Sequence, residues 1–180
     1  LMRIDGLSRI FTLVFCLAAF LGNLYAWHVR DTVQQVAALL YAGSAIGAAL
    51  SGDMITLFFY WEGTAIASVF LIWARGTEGA YHTGMRYLIM QVASGVILIA
   101  GVALFYRETG SIAFERMVLG SPGTWLIFLA FGIKCAFPLL HNWLQDSYPA
   151  ATVTGTVILS AFTTKLAVYA LARGFAGTEI

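Results

Sequence analysis

The chain has 180 residues, 60% of them hydrophobic and 11% charged, with a formal net charge of +1 and a mean hydropathy of +0.83. Soluble domains carry about 25% charged residues, so the composition excludes a soluble globular protein and marks an integral membrane protein in a lipid bilayer. The near-neutral charge leaves no basic face for nucleic acid, and Cys16 and Cys135 lie in apolar runs without a CxxC or Cys/His cluster, so they read as small buried hydrophobes.

A spanning helix needs about 20 mostly apolar residues, and six stretches meet or approach this. The first is Leu7–Trp27. Its apolar run from Phe11 is too long for a cleaved signal core and has no small-residue cleavage site. The second, Val33–Leu50, is short and rich in Gly and Ala, and Gly43 and Gly47 form a GxxxG step suited to close helix packing. Ser51-Gly52-Asp53 is a tight turn whose Asp53 can cap the third span, Met54–Ala74. A charged connection, Arg75–Gly84, leads to the fourth, Met85–Tyr106. Arg86, followed by Tyr87, opens that span and reads as interfacial, and Gln91 and Ser94 lie deeper. Arg107–Ser121 is the second charged connection and predicts a short amphipathic helix lying at the interface. The fifth span, Pro122–Leu144, is expected to break near Pro138, which removes a backbone hydrogen bond and clashes with the preceding turn. The sixth is Val153–Arg173. The fold class is therefore an all-α membrane bundle of six spans, and both chain ends read as cut from a longer protein.

Three ionisable residues interrupt these spans: Glu62, Lys134 and Lys165. One uncompensated charge at the bilayer centre costs roughly 2.5–3.5 kcal/mol. Such charges are kept when they face each other or a water-filled path, and ion or proton translocation is the function they predict. Glu62 follows Phe58-Phe59-Tyr60-Trp61, too deep for its short stem to reach the interface. Lys134 lies four residues before Pro138, and a lysine beside broken backbone suggests a hydrated cavity, because freed backbone groups at membrane depth need protein or water around them.

Beyond the break, His141 to Pro149 is a dense polar cluster. His141 reads equally as a proton relay or as a structural residue. For Asp146 a cap or loop anchor is the favoured reading. Thr156, Ser160, Thr163 and Thr164 recur at helical spacing and make a polar face near Lys165. They suit the lining of a water wire, although such hydroxyls can also bond back to their own helix. No nucleotide, haem or cluster motif is present. The sequence thus predicts no cofactor, no metal and no catalytic residue, and a transporter rather than an enzyme.

These residues resemble the proton-conducting membrane transporter family, which holds the antiporter-like subunits of respiratory NADH:quinone oxidoreductase and the large subunits of Mrp-type multisubunit Na+/H+ antiporters. The resemblance rests on Arg3-Ile4-Asp5-Gly6-Leu7-Ser8, Gly52-Asp53 with Trp61-Glu62, Arg86-Tyr87, and Tyr106 with Thr109-Gly110. It continues through Lys134 to His141, Trp143, Asp146, Tyr148-Pro149-Ala150-Ala151, and Thr164-Lys165 with Tyr169-Ala170-Leu171. Within the family the likeness leans to the D-type antiporter subunits. The pattern is departed from at Gln145, where proline is usual, at Gly63, and at Thr154-Gly155-Thr156.

The resemblance implies that Glu62 is the family's membrane glutamate, Lys134 its partner lysine on a broken helix, and Lys165 the lysine passing protons toward the subunit centre. His141 matches a histidine near the break, and Thr156, Ser160, Thr164 and Asp146 would be supporting polar lining. It also implies one transmembrane domain over 1–180, with 1–32 as a leading helix and 33–173 as the first of two inverted five-helix repeats. The expected function is that of a proton-translocating subunit of a multisubunit monovalent cation/proton antiporter. The alternatives are a proton-pumping subunit of a respiratory or hydrogenase complex, and a structural subunit that has lost transport. The implied partners are other membrane subunits of one complex, protons and Na+ or K+, in a bacterial plasma membrane.

Overall fold

The computed structural model describes residues 2–177. Among them are seven α-helices: α1 Gly6–Tyr25, α2 Thr32–Ala49, α3 Met54–Trp73, α4 Glu78–Thr109, α5 Pro122–Cys135, α6 Asn142–Ala150 and α7 Val153–Phe175. Four runs are long and apolar enough to cross a membrane: α1 with the 3-10 turn that follows it, α3, α4 and α7. The six expected spans are thus seven helices, four of them of spanning length and apolarity. The domain expected over 1–180 includes positions 1 and 178–180, which lie outside the described residues.

The starts of six helices are set by a side chain at the residue before them. Asp5, Asp31, Asp53, Thr77, Ser121 and Thr152 each accept a backbone N–H from the first turn. Near a membrane such caps matter more than usual, since four N–H groups per helix otherwise lack a partner. Asp53 plays the capping role read from the sequence, accepting from Thr56 N at 2.8 Å.

The expected fifth span is divided. Helix α5 stops at Cys135, one residue after Lys134, and not at Pro138. Ala136 takes a left-handed conformation (φ 62°). The N–H of Phe137 bonds Gly132 O at 3.0 Å and that of Ala136 bonds Ile133 O at 3.2 Å, a Schellman-type close. Pro138 acts upstream of itself: it has no N–H to offer Lys134 O, and it disfavours helical backbone at Phe137. The Trp143 indole then reaches back from α6 to donate to Ile133 O at 2.9 Å.

The 110–121 connection is not an interfacial helix. Gly110 (φ 68°) closes α4, and the chain continues extended, with Ala113 bridging to Asp53. Met117 N donates to Gly174 O at 2.7 Å. Phe114 and Met117 of this segment are buried, so two of its large apolar side chains are spent on the core.

In the GxxxG step only Gly47 receives a neighbour, the ring of Tyr60 on α3. Nothing lies within 4 Å of a Cβ built at Gly43. The closest helix crossing is instead α4 on α5, where a Cβ at Gly123 would stand 2.7 Å from Phe105 N. Helix α1 buries little of itself, and Leu13, Leu17, Phe20 and Cys16 face outward. Cys16 is therefore not the buried hydrophobe expected, because its side of α1 is turned to lipid. The two ends of the described chain are tied by Arg173, whose Nη2 donates to both carboxylate oxygens of Asp5 at 2.8 Å.

Candidate functional site

Lys134 is fully buried in the last turn of α5. The partial negative charge of a helix C-terminus favours a cation there. Its ammonium reaches α3, donating to Trp61 O at 2.6 Å and Thr64 Oγ1 at 2.8 Å. It also lies over the Trp61 ring, 4.3 Å from the centroid, a contact worth about 2 kcal/mol when desolvated. Trp61 is itself pinned. Its indole donates to Ser94 Oγ at 3.1 Å, and Ser94 Oγ donates onward to Ala130 O at 2.8 Å. Three helices therefore fix one ammonium.

Glu62 is adjacent to this arrangement and outside it. Among the described residues no ion pair joins Glu62 to Lys134, although the two charges remain within electrostatic reach of each other. Contact fails because Lys134 is satisfied by the oxygen one residue earlier, at Trp61. The Glu62 carboxylate turns toward α4 and lies against Gly95, where any Cβ would overlap Oε1. Oε1 is buried without a hydrogen-bond partner. Such an atom costs about 1–3 kcal/mol, and a donor or cation arriving there relieves the cost.

A second unpartnered group lies one helical turn away on α4. Gln91 is fully buried, and neither amide atom has a partner. Next to Gln91 along α4, a hydroxyl cluster joins four helices. Ser68 and Tyr87 share a hydrogen bond of 2.7 Å, Tyr87 interacts with Thr163, and Thr163 bonds Tyr41. Tyr87 follows the interfacial Arg86 and carried no site expectation of its own, yet it is 1% exposed. Its signal was the step of four from Tyr87 to Gln91, which puts both on one face of α4. Gly95 gave no signal, because a glycine's use as space for a distant carboxylate depends on which helix crosses it.

Lys165 is not brought to this site. It is exposed on α7, and its Nζ donates to Ser160 O of the same helix at 2.6 Å. The expected polar stripe is split. Thr163 turns inward to Tyr41, Thr156 bonds back to Thr152 O at 3.0 Å and to Tyr148 O at 2.7 Å, and Ser160 bonds Val157 O at 2.8 Å. Thr164 is half-buried. His141 stands before α6 without capping it through its side chain. Asp146 is neither a cap nor buried: it lies within α6, exposed, 3.8 Å from Arg86, a separation at which a surface pair contributes little.

Residues 51–178 match the family model described as NADH:quinone oxidoreductase/Mrp antiporter, TM. NADH-quinone oxidoreductase subunit M of Escherichia coli strain K12 is 31% identical over 193 residues, covering 96% of this chain and 38% of that protein. The D-type Na(+)/H(+) antiporter subunit of Bacillus subtilis strain 168 is 26% identical over 187 residues, covering 95% and 38%. A chain in the structure of the membrane-bound sulfane sulfur reductase, an archaeal respiratory membrane complex, superposes with a TM-score of 0.83 at 28% identity, covering 95% of this chain and 38% of that one. The chain spans about a third of the length of the curated relatives it matches.

Proposed function

Because the chain belongs to the transmembrane family of NADH:quinone oxidoreductase and Mrp antiporter subunits, we propose that it is the proton-translocating part of a subunit in a multisubunit monovalent cation/proton antiporter of a bacterial plasma membrane. The carrying observation is the buried Lys134 ammonium, held by Trp61 and Thr64 beside an unpartnered Glu62 oxygen. When Lys134 gives up a proton its hold on Trp61 O and Thr64 Oγ1 weakens, because those bonds are no longer charge-assisted. When a proton or cation reaches Glu62 the field at Lys134 changes. Those two events are coupled by proximity, as antiport requires.

In this reading α5 and α6 are two halves of one broken span. Residues 1–32 lead into a repeat over 33–173, and Lys165 passes protons onward through the face of α7 it shares with other parts of the subunit. His141 relays or orients protons near the break, and Thr156, Ser160, Thr164 and Asp146 line the path. The partners are other membrane subunits, with Na+ or K+ as the exchanged ion. A second reading, a proton-pumping subunit of a respiratory complex, is favoured by the 31% identity to NADH-quinone oxidoreductase subunit M.

Cation-dependent proton flux in everted vesicles tests this, with the full-length parent expressed alongside its operon partners in cells lacking their own antiporters. Flux that requires Na+ or K+ and disappears in Lys134→Ala, Glu62→Gln and Lys165→Ala supports the antiporter reading. Flux unchanged in all three moves the proton path elsewhere. Absence of cation-dependent flux from the intact operon favours the respiratory-complex reading.

A further inference from the structure

A cavity of about 360 Å3 opens where α1 begins and α7 ends, with Arg3, Asp5, Leu7, Glu115, Arg116 and Arg173 in its wall. Leu7 is in the first turn of α1 and Arg173 in the last turn of α7. Both helices belong to runs long and apolar enough to cross a membrane, so the cavity stands at the level of the lipid headgroups. Three guanidinium groups meet two carboxylates there, which leaves one positive charge in excess.

The three arginines are not equally committed. Arg173 is buried and tied to Asp5, and its guanidinium lies 5.2 Å from the Tyr169 ring centroid and 5.6 Å from that of Phe114. Its Nε is buried with no hydrogen-bond partner, so positive charge is left unspent there. Arg3 Nη1 donates to Glu115 Oε1 at 2.9 Å, with both side chains exposed. An exposed pair of this kind contributes little, so a phosphate can take the place of Glu115 on Arg3. Arg116 meets no carboxylate among the described residues, and its Nη2 donates to Gly177 O at 3.0 Å. A guanidinium presents more donors than that one bond uses, in a fork that matches the oxygens of a phosphate.

Toward the membrane the wall turns apolar. Leu7, Ile10, Val14 and Leu17 follow at helical spacing along one face of α1, and the last three are more than half exposed. We propose that the cavity binds the headgroup of an anionic phospholipid, with its phosphate on Arg116 and Arg3 and its acyl chains along this stripe. A free phosphate would use the arginines and leave the stripe bare. A carboxylate from another subunit would answer the charge and give the stripe no role. An amphiphile with a negative head is the occupant that uses both. Bound there, it would cover α1, which buries little of itself, beside the end of α7. The inference goes beyond the transport reading and does not rest on it, since nothing in it requires that protons move.

The test uses the full-length parent in its complex, purified in detergent and supplied with photoactivatable phosphatidylglycerol or with phosphatidylcholine carrying the same chains. The glycerol lipid is expected to label residues 10–17 of α1 at least fivefold more than the choline lipid. Arg116→Gln, which keeps a donor for Gly177 O, is expected to lower that labelling at least fivefold. Arg30→Gln, exposed in the connection after α1, is expected to leave it unchanged. Unlabelled phosphatidylglycerol should compete, and glycerol 3-phosphate at the same concentration should not. Equal labelling by the two lipids overturns the anion preference, and that comparison needs no variant to fold. No labelling of α1 by either lipid means that another part of the complex covers it, and overturns the lipid site. Competition by glycerol 3-phosphate as strong as that by the lipid assigns the cavity to free phosphate and overturns the lipid. Unchanged labelling in Arg116→Gln overturns the place given to the phosphate.

Discussion

Lys134 on α5 reaches α3 beside Glu62 without touching it: the lysine is held by the backbone oxygen of Trp61, the residue just before the glutamate. Glu62 instead lies against Gly95 on α4 with one oxygen unbonded. Each charge can therefore change its direct contacts without breaking an ion pair, while the two still act on each other through space.

Lys134→Met should give a protein as stable as the parent or more so, and inactive. Methionine has similar length and removes the desolvation cost of an ammonium that no ion pair compensates. Proton flux should fall below a tenth. A thermal unfolding scan beside the flux assay separates this from a purely structural lysine, whose loss would lower the unfolding temperature.

Thr64→Val removes one of the two oxygens that hold the ammonium. The expected cost is about 1–3 kcal/mol of stability with reduced flux, and Thr64→Ser should restore both. Denaturant titration of the purified protein reads the first quantity. No loss in Thr64→Val would mean that Trp61 O alone suffices.

Gly95→Ala forces the Glu62 carboxylate to move, since the new Cβ would overlap Oε1. The clash is with the end of a flexible side chain, and alanine gains about 1 kcal/mol over glycine in a helix, so stability should change little. The infrared band of the Glu62 carboxyl should shift and flux should fall. Gly43→Ala, with nothing within 4 Å, is the matching control and should leave both alone.

The Asp5–Arg173 tie should give the protein an acid-sensitive component. Burial pushes the Asp5 carboxyl up, but the Ser8 N–H and the Arg173 guanidinium outweigh it and hold it below its ordinary 3.8. A carboxyl held low in the folded state contributes stability that is complete above its ordinary value and is lost as pH falls through the folded one. Unfolding temperature should therefore drop in that acidic window, and Asp5→Asn should lack this part of the drop while being less stable near neutrality. Identical pH curves for the two would remove Asp5 from the account.

What could be read from sequence was whatever depends on local chemistry. Hydropathy placed α1, α3 and α7 to within a few residues, Asp53 announced itself as a cap, and Lys134 stood out because a charge in an apolar run needs an explanation. Choices made between helices were hidden. Lys134 selecting Trp61 O over Glu62 depends on the offset of α5 against α3, and Lys165 facing outward depends on how far α7 is rotated. The early stop of α5 was half legible: Pro138 signalled a break, while its position at Cys135 came from a Schellman close made on an alanine, where glycine would have been the sign. Phe114 and Met117 turned an expected surface helix into an irregular strap anchored in the core, by filling space that no local pattern describes.

The bond between Asp5 and Arg173 also sets a timetable for biosynthesis. The two residues lie 168 positions apart, and at about 5–20 residues per second the ribosome delivers the arginine roughly ten to thirty seconds after the aspartate. Over that interval Asp5 has only its local partners, Ser8 N–H and Arg3, and the side of α1 that packs on α7 is uncovered. A stall in translation between the two would leave α1 without its tie to α7.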